Sequence, residues 1–409
     1  MKKQSGNAAL HLSSGVPLVL MVAVLSTLSA CGGSNNSSAP VAPAAPVAPV
    51  VVPLANQLYT QSNETANTIV HFSRSATTGA ITLVDHTATG GAGLNGIKVG
   101  GTTAGPDSLG SQYSVIVTPD KTTLVAVNAG DNSISTFAIN QVTGSLTLNK
   151  NTPTSGLTPN SLAFSSGYLY VTFQGGTNLV GAYKLNADGS LSQIGLYNLG
   201  VPGAAPTQMV ISPNGSFVVV SAGAGASVNA IVSLPINSDG SLDTPTINTV
   251  ATPFAGAFVQ TTSDWVYFAT NIGAKGLGSY AFSTFGSLTS IASGTSGIGA
   301  PCWLSITPSN QLAYVGNGTG IISSYAITSA GAVSLLNANA ATEPSVITGV
   351  SSVAADSWVS ADGKYLYEDY LGDDKVVSYS ISSTGVLTKI NEQVLGTPTG
   401  LSMQGLAGI

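Results

Sequence analysis

From residue 54 onward, short apolar runs alternate with turn-forming residues in a layout that repeats along the chain, and the stretch Ser114 to Leu148 shows the unit most plainly. Val115-Ile116-Val117 is an apolar strand stopped by Thr118-Pro119-Asp120-Lys121, because proline followed by aspartate favours a type I turn and proline cannot donate to a central ladder. Leu124 to Asn128 forms a second strand and Gly130-Asp131-Asn132 turns the chain. Ile134 to Ile139 then alternates apolar with small polar residues at the period of two of a half-buried strand. Gly144-Ser145 leads into a fourth strand from Leu146 to Leu148. Four antiparallel strands per unit are predicted.

Two positions put the repeats in register. One lies in the second strand of each unit: Tyr59, Val125, Tyr170, Val219, Tyr267, Tyr314 and Tyr367. The other is the turn before the fourth strand, which begins at Gly79, Gly144, Gly189, Gly240, Gly286, Gly331 and Gly385. Seven copies spaced by about 45 to 50 residues predict an all-β fold, a seven-bladed β-propeller of four-stranded antiparallel blades. Blade one lacks an apolar strand before Tyr59. The sequence Thr397-Pro398-Thr399-Gly400-Leu401 resembles the lead-ins at Pro159 and Pro206, so the C-terminal segment is expected to supply that innermost strand and close the ring. Closure matters because an open ring would leave two sheet edges with unpaired backbone groups.

The N-terminal part has a different character. Residues 1–30 read as an export signal, with Lys2-Lys3 ahead of an apolar core from Val16 to Leu28. Leu28-Ser29-Ala30-Cys31 resembles the bacterial lipobox, which implies cleavage before Cys31 and lipidation of its sulfur. A membrane span is disfavoured, since the apolar run contains Pro17 and falls short of the ~20 residues a span needs. Residues 31–53 then form a Pro/Ala-rich tether that cannot bury a core, and residues 54–409 form the propeller. The expected location is the bacterial cell envelope, anchored through lipid only. The outer membrane is preferred, on its periplasmic or surface side, because Gly32 offers no acidic retention signal. Cys302 is the only other cysteine and reads as a buried thiol.

Composition narrows the function classes. Charged residues make up 7 % of the chain against roughly 25 % in ordinary soluble domains, and the net charge of −6 becomes −8 once Lys2 and Lys3 leave with the signal. No basic face exists for nucleic acid. Gly91-Ala92-Gly93-Leu94-Asn95-Gly96 spells a dinucleotide fingerprint, but no helical pattern follows and it reads as a surface loop, as does Asn337 to Val350. No zinc-ligand spacing and no G-x-S-x-G elbow occurs.

The Pro-x-x lead-in, the S/T-P-D/N-G turn at Thr118 and Ser212, the Leu-x-Tyr-Val strand and the G-S-L turn together resemble the propeller lactonase family, which includes 6-phosphogluconolactonases and cycloisomerase-like proteins. The likeness spans residues 54–409 and implies the fold and a lactone-type substrate at the central funnel. It also implies functional histidine and arginine there, whereas the chain after the signal has only His71, His86 and Arg74. A phosphorylated sugar would call for several convergent cations. Lys121 and Lys364 fall in strand-connecting turns, so 6-phosphogluconolactone is not the expected substrate.

The candidate chemistry lies where blade seven breaks the repeat. After the recurring tyrosine the blades carry Thr60, Ala126, Val171, Val220, Phe268 and Val315, but blade seven has Glu368, followed by Asp369. A carboxylate at an otherwise apolar position calls for a partner or a task. The alternative is a solvated edge beside Lys375. The inner strands bring Ser114, Ser161, Gln208, Ala257, Trp303 and Asp356 to one level, a ligand site or else a water-filled channel. As a lactonase, the protein would use Asp356 or Glu368 as general base, Gln208, Asn128 or Asn317 as oxyanion donors, and Asp369 with Trp303 for binding. The same acids suit Ca²⁺; no other cofactor and no assigned metal site are expected. The contrasting reading is a non-catalytic platform for a lactone, a sugar-like ligand or envelope proteins, motivated by loops such as Ser221 to Ala226 that carry almost no functional groups. A monomer is expected in either case.

Overall fold

The computed structural model describes residues 54–223, 228–261 and 264–409. The export signal, Cys31 and the tether, together with most of the glycine-alanine stretch after Ser221, lie outside the described residues. Within them every regular element is a strand.

Seven four-stranded antiparallel sheets form, each ordered along the chain from its innermost strand outward except the first, whose innermost strand comes from the C-terminal end. This is the seven-bladed propeller the periodicity predicts. The second strands are wholly buried in three blades, Gln57–Gln61, Phe217–Ser221 and Tyr365–Tyr370, and buried but for end residues in the others, because both faces pack against adjacent blades. The fourth strands, such as Ile81–Ala88 and Leu387–Val394, are largely exposed on the rim.

The two register positions are bonded to each other between blades. The hydroxyls of Tyr59, Tyr170, Tyr314 and Tyr367 donate to the carbonyls of Gly144, Gly240, Gly385 and Gly79 in the next blade, at 2.7, 3.2, 3.1 and 3.0 Å. Where valine replaces tyrosine, Thr136 serves Gly189 at 2.6 Å and Asn248 serves Gly286 at 3.0 Å. The turn glycines all have φ between +74° and +82°, the left-handed region in which a side chain is strained. The repeat is thus a chain of interblade latches as well as a core pattern.

The ring closes through the C-terminal segment, as the sequence predicts. The strand is Gln404–Gly408, paired antiparallel with Gln57–Gln61, with a bulge between Thr60 and Gln61. Thr397 to Leu401 forms the loop leading to it, where Thr399 and Ser402 bond Glu64. Arg74, the sole arginine, secures the junction: it stacks on Trp358 and Tyr367 of blade seven and donates to the Ile409 carbonyl at 3.1 Å.

Two connections differ from plain surface loops. The outer strand of blade six extends over Val333–Thr342 and delivers a buried Glu343. The connection between blades one and two covers Asn63 and Glu64 through residues 93–95, and its last residues turn into the ring.

Candidate functional site

Sheet register defines one equivalent level on the seven inner strands. Ser161, Gln208, Trp303 and Gln404 stand opposite Thr172, Ser221, Gly316 and Gln61, while Asp356 precedes the Ser357–Glu368 pair. In blade five Gly256 holds this place, paired with Ala269; Ala257 is one residue further on, opposite Phe268. Residues 254–257 are apolar or small, so no polar side chain marks this level in blade five and the sequence expectation fell one residue late.

The centre at this level is filled by the chain itself. Ser111, Gln112 and the backbone of Tyr113 cross it, and Ser108, Leu109, Ser111, Gln112 and Ser114 are all buried. The Gln112 amide bonds the Leu304 backbone both ways, donating to its carbonyl at 2.9 Å and accepting from its N–H at 3.1 Å. The Gln112 N–H donates to Thr207 and its carbonyl accepts from Ser161. The Trp303 indole donates to the Ser111 carbonyl at 2.9 Å. The Tyr113 N–H donates to Asp356 Oδ1 at 3.0 Å, and Tyr113 takes a left-handed φ of +68° to present it. Blades three, four, six and seven are thereby tied to one segment.

This plug engages two of the residues expected to face a ligand, Trp303 and Asp356. Gln208 spends its oxygen on the Gly256 N–H, leaving Nε2 without a partner. Asn128 donates to Ser133 and Ser135 and accepts from Asn67. Asn317 folds back onto Val315, Ile321 and Ser323. Both asparagines brace the ends of their own strands.

The acids of blade seven are buried together. Asp356 is 1 % exposed and Glu368 and Asp369 are 0 % exposed, so they do not form a solvated edge. Glu368 rests on Gly316 of blade six, where a Cβ would lie 2.7 Å from Oε1. Neither Glu368 oxygen has a hydrogen-bond partner, nor does Asp356 Oδ2 or Asp369 Oδ1. Asp369 Oδ2 accepts only a long bond of 3.4 Å from Thr60.

Burial dominates their protonation. It pushes the Asp356 carboxyl up to about 8, with the neighbouring Asp107 adding to the rise and the Tyr113 N–H opposing it. Burial and then Asp356 hold Glu368 well above the usual carboxylate range, and burial, Asp356 and Glu368 do the same to Asp369. Asp107, at the start of the plug, is raised to about 7 by desolvation despite Lys98. Asp356 and Asp107 can hold or release protons near neutrality, but none of the four acids lines the 270 Å³ pocket at the end of the channel, whose walls include Tyr113, Phe164, Trp358 and Leu406. Among the described residues no three His, Cys, Asp or Glu side chains converge closely enough to hold a metal ion.

Sequence reading missed a second charged cluster. Lys375 is buried and paired with Glu343 at 3.1 Å and Glu392 at 3.2 Å, with Asp373 at 3.8 Å. Lys389 joins Glu343 and Glu392 at 2.8 Å each. The signal lay in the length of the Asn337 to Val350 segment, which carries Glu343. His71 lies outside the centre too: its Nε2 meets Gln57 at 2.7 Å, its ring stacks on Tyr59, and burial lowers its pKa although Asp85 opposes this.

The sevenfold ring, its latches and its strand order define a class of proteins, the lactonase-type propellers. The chain belongs to the family described as "Lactonase, 7-bladed beta-propeller", whose pattern matches residues 63–195 and 229–401. Its fold is shared with a candidate 6-phosphogluconolactonase from Bacteroides uniformis, at 18% identity over 85% of this chain and 98% of that one, TM-score 0.63. It is also shared with the Pseudomonas aeruginosa periplasmic gluconolactonase PpgL, at 14% identity over 83% and 97%, TM-score 0.63. A Lactobacillus plantarum protein aligns at 15% identity over 86% and 99%, also with TM-score 0.63. No curated protein sequence matches this one.

Proposed function

We propose that this lactonase-family propeller is a lipid-anchored bacterial envelope protein that serves as a binding platform rather than a hydrolase. One observation carries the reading: Asp356 and Trp303, the groups best placed to meet a substrate, are already bonded to Tyr113 and Ser111 of the protein's own chain. A general base must come within hydrogen-bond reach of the water it activates. Here that approach is occupied. The signal-like residues 1–30 and the lipobox-like sequence ending at Cys31 support an envelope location, preferably at the outer membrane. There a lactone, a sugar-like ligand or another envelope protein would meet the propeller as a monomer.

The test is hydrolysis of glucono-1,5-lactone by the full-length protein. The platform reading expects no rate above the uncatalysed one, and turnover abolished by an Asp356→Asn, Glu368→Gln double substitution would overturn it. Cys31→Ser should abolish incorporation of labelled lipid, and retention of the label would remove the anchor.

A second reading, lactone hydrolysis with Asp356 as base, is favoured by the unpartnered Asp356 Oδ2 and by the gluconolactonase relative. It requires the segment around Gln112 to withdraw. Turnover that appears only when Gln112→Gly loosens that segment would favour it over the platform.

A further inference from the structure

A cleft of 400 Å³ opens where blade one meets the loop before the closing strand, walled by Glu64 and His86 on its polar side and by Val70, Leu395 and Pro398 on its apolar side, with Ala66 at the rim. Glu64 is 8 % exposed. Its Oε1 is saturated, accepting from the Thr399 N–H at 3.2 Å, the Thr399 hydroxyl at 2.9 Å and the Ser402 hydroxyl at 2.7 Å. Its Oε2 accepts from no donor among the described residues. Three fixed donors hold the carboxylate while one oxygen is left for something else.

The charge balance says what that would be. Glu64 makes no ion pair among the described residues, and neither lysine nor arginine lines the cleft. Asp374, whose pKa Glu64 helps to raise, is another acid. With three donors fixing Oε1 and no cation paired with the carboxylate, Oε2 is left to meet a ligand that brings its own positive charge. The Val70, Leu395 and Pro398 walls favour a carbon skeleton over a bare hydrated ion. We infer that this cleft is a binding site for a small primary amine, with its ammonium group on Glu64 Oε2, its skeleton against Leu395 and Pro398, and His86 as the second polar contact. The site is separate from the plugged centre and is independent of whether that centre turns over lactones.

Calorimetry of the full-length protein with glucosamine, and with glucose as the uncharged control, tests the inference. Saturable heat is expected for glucosamine alone. Glu64→Gln keeps an oxygen for the three donors and so keeps the loop, but it should weaken glucosamine at least about tenfold by losing a charge-assisted bond. Ala66→Trp, at an exposed rim position, should block the cleft without touching Glu64. The inference is overturned if glucosamine gives no saturable heat, if glucose binds equally, if stoichiometric calcium chloride displaces the amine, or if both variants bind as the parent does.

Discussion

The hydroxyl of Tyr367, in the second strand of blade seven, donates to the carbonyl oxygen of Gly79 in blade one at 3.0 Å, joining residues 288 apart in the chain. The bond belongs to a series repeated around the ring, but here it spans the seam where the two ends of the propeller meet. Its removal should therefore be felt by the whole ring. Tyr367→Phe leaves a buried carbonyl without its donor and should lower unfolding free energy by about 1–2 kcal/mol in a denaturant titration. Gly79→Ala should cost more, because φ is +74° and the new Cβ would stand 2.2 Å from the Tyr365 ring.

Arg74 acts at the same seam from the other side of Tyr367. Its guanidinium lies 4.8 Å from the Trp358 ring centre and 5.3 Å from that of Tyr367, and it also holds the Ile409 carbonyl. Arg74→Met should destabilise by about 2 kcal/mol, the scale of a desolvated cation–π contact. Deleting Gln404 to Ile409 should do far more, since it strips the innermost strand from blade one and exposes the edge at Gln57–Gln61. Thermal unfolding of the two variants gives the order; a truncation as stable as the parent would mean the seam is held elsewhere.

Stability should fall as pH rises from 5 to 8, the reverse of ordinary acid denaturation. Asp356, Glu368, Asp369, Asp107 and Asp374 all have folded-state pKa values above those of an unfolded chain, with Asp356 at about 8 and Asp107 and Asp374 at about 7. Between the unfolded value near 4 and these raised values the folded protein binds more protons than the unfolded one, so each pH unit upward costs up to about 1.4 kcal/mol per group. The penalty is absent below the unfolded pKa and complete above the folded one. Asp356→Asn should flatten the profile between pH 5 and 8, as measured by denaturant unfolding at each pH.

The Lys375 cluster offers a contrast between breaking and replacing a charge network. Lys375→Met leaves Glu343 and Asp373 buried with less counter-charge and should cost about 3 kcal/mol. Adding Glu343→Leu should recover a good part of that loss, because burying two apolar groups of similar volume is often neutral. Equal stability of the single and double variants would show that Lys389 alone already compensates Glu343.

The fold was legible because its signals are local and repeated. The turn glycines need positive φ, the recurring tyrosines fill a fixed place between blades, and each can be counted without knowing what lies opposite. The acids of blade seven were legible for the same reason, as departures from a repeated apolar position. What lay hidden was non-local. Nothing in Ser111-Gln112-Tyr113 announces that it crosses the ring to reach Leu304 and Asp356, since its polar residues suit a surface loop equally well. The closing segment was legible from its lead-in at Thr397 to Leu401, but nothing in that stretch shows that it also holds Glu64. The blade-five register slipped by one because Phe254-Ala255-Gly256-Ala257 carries no polar residue to mark the level.

Hydrogen exchange at the Gln112 and Tyr113 amides tests the filled centre most directly. Both N–H groups are bonded inside the ring, to Thr207 and to Asp356 Oδ1, so they should exchange only through global or near-global opening and remain protected as long as the second-strand amides of blade seven. Exchange as fast as in the exposed Lys98 to Gly101 turn of the same connection would mean that the segment leaves the centre readily, and it would contradict the filled ring on which the platform reading rests.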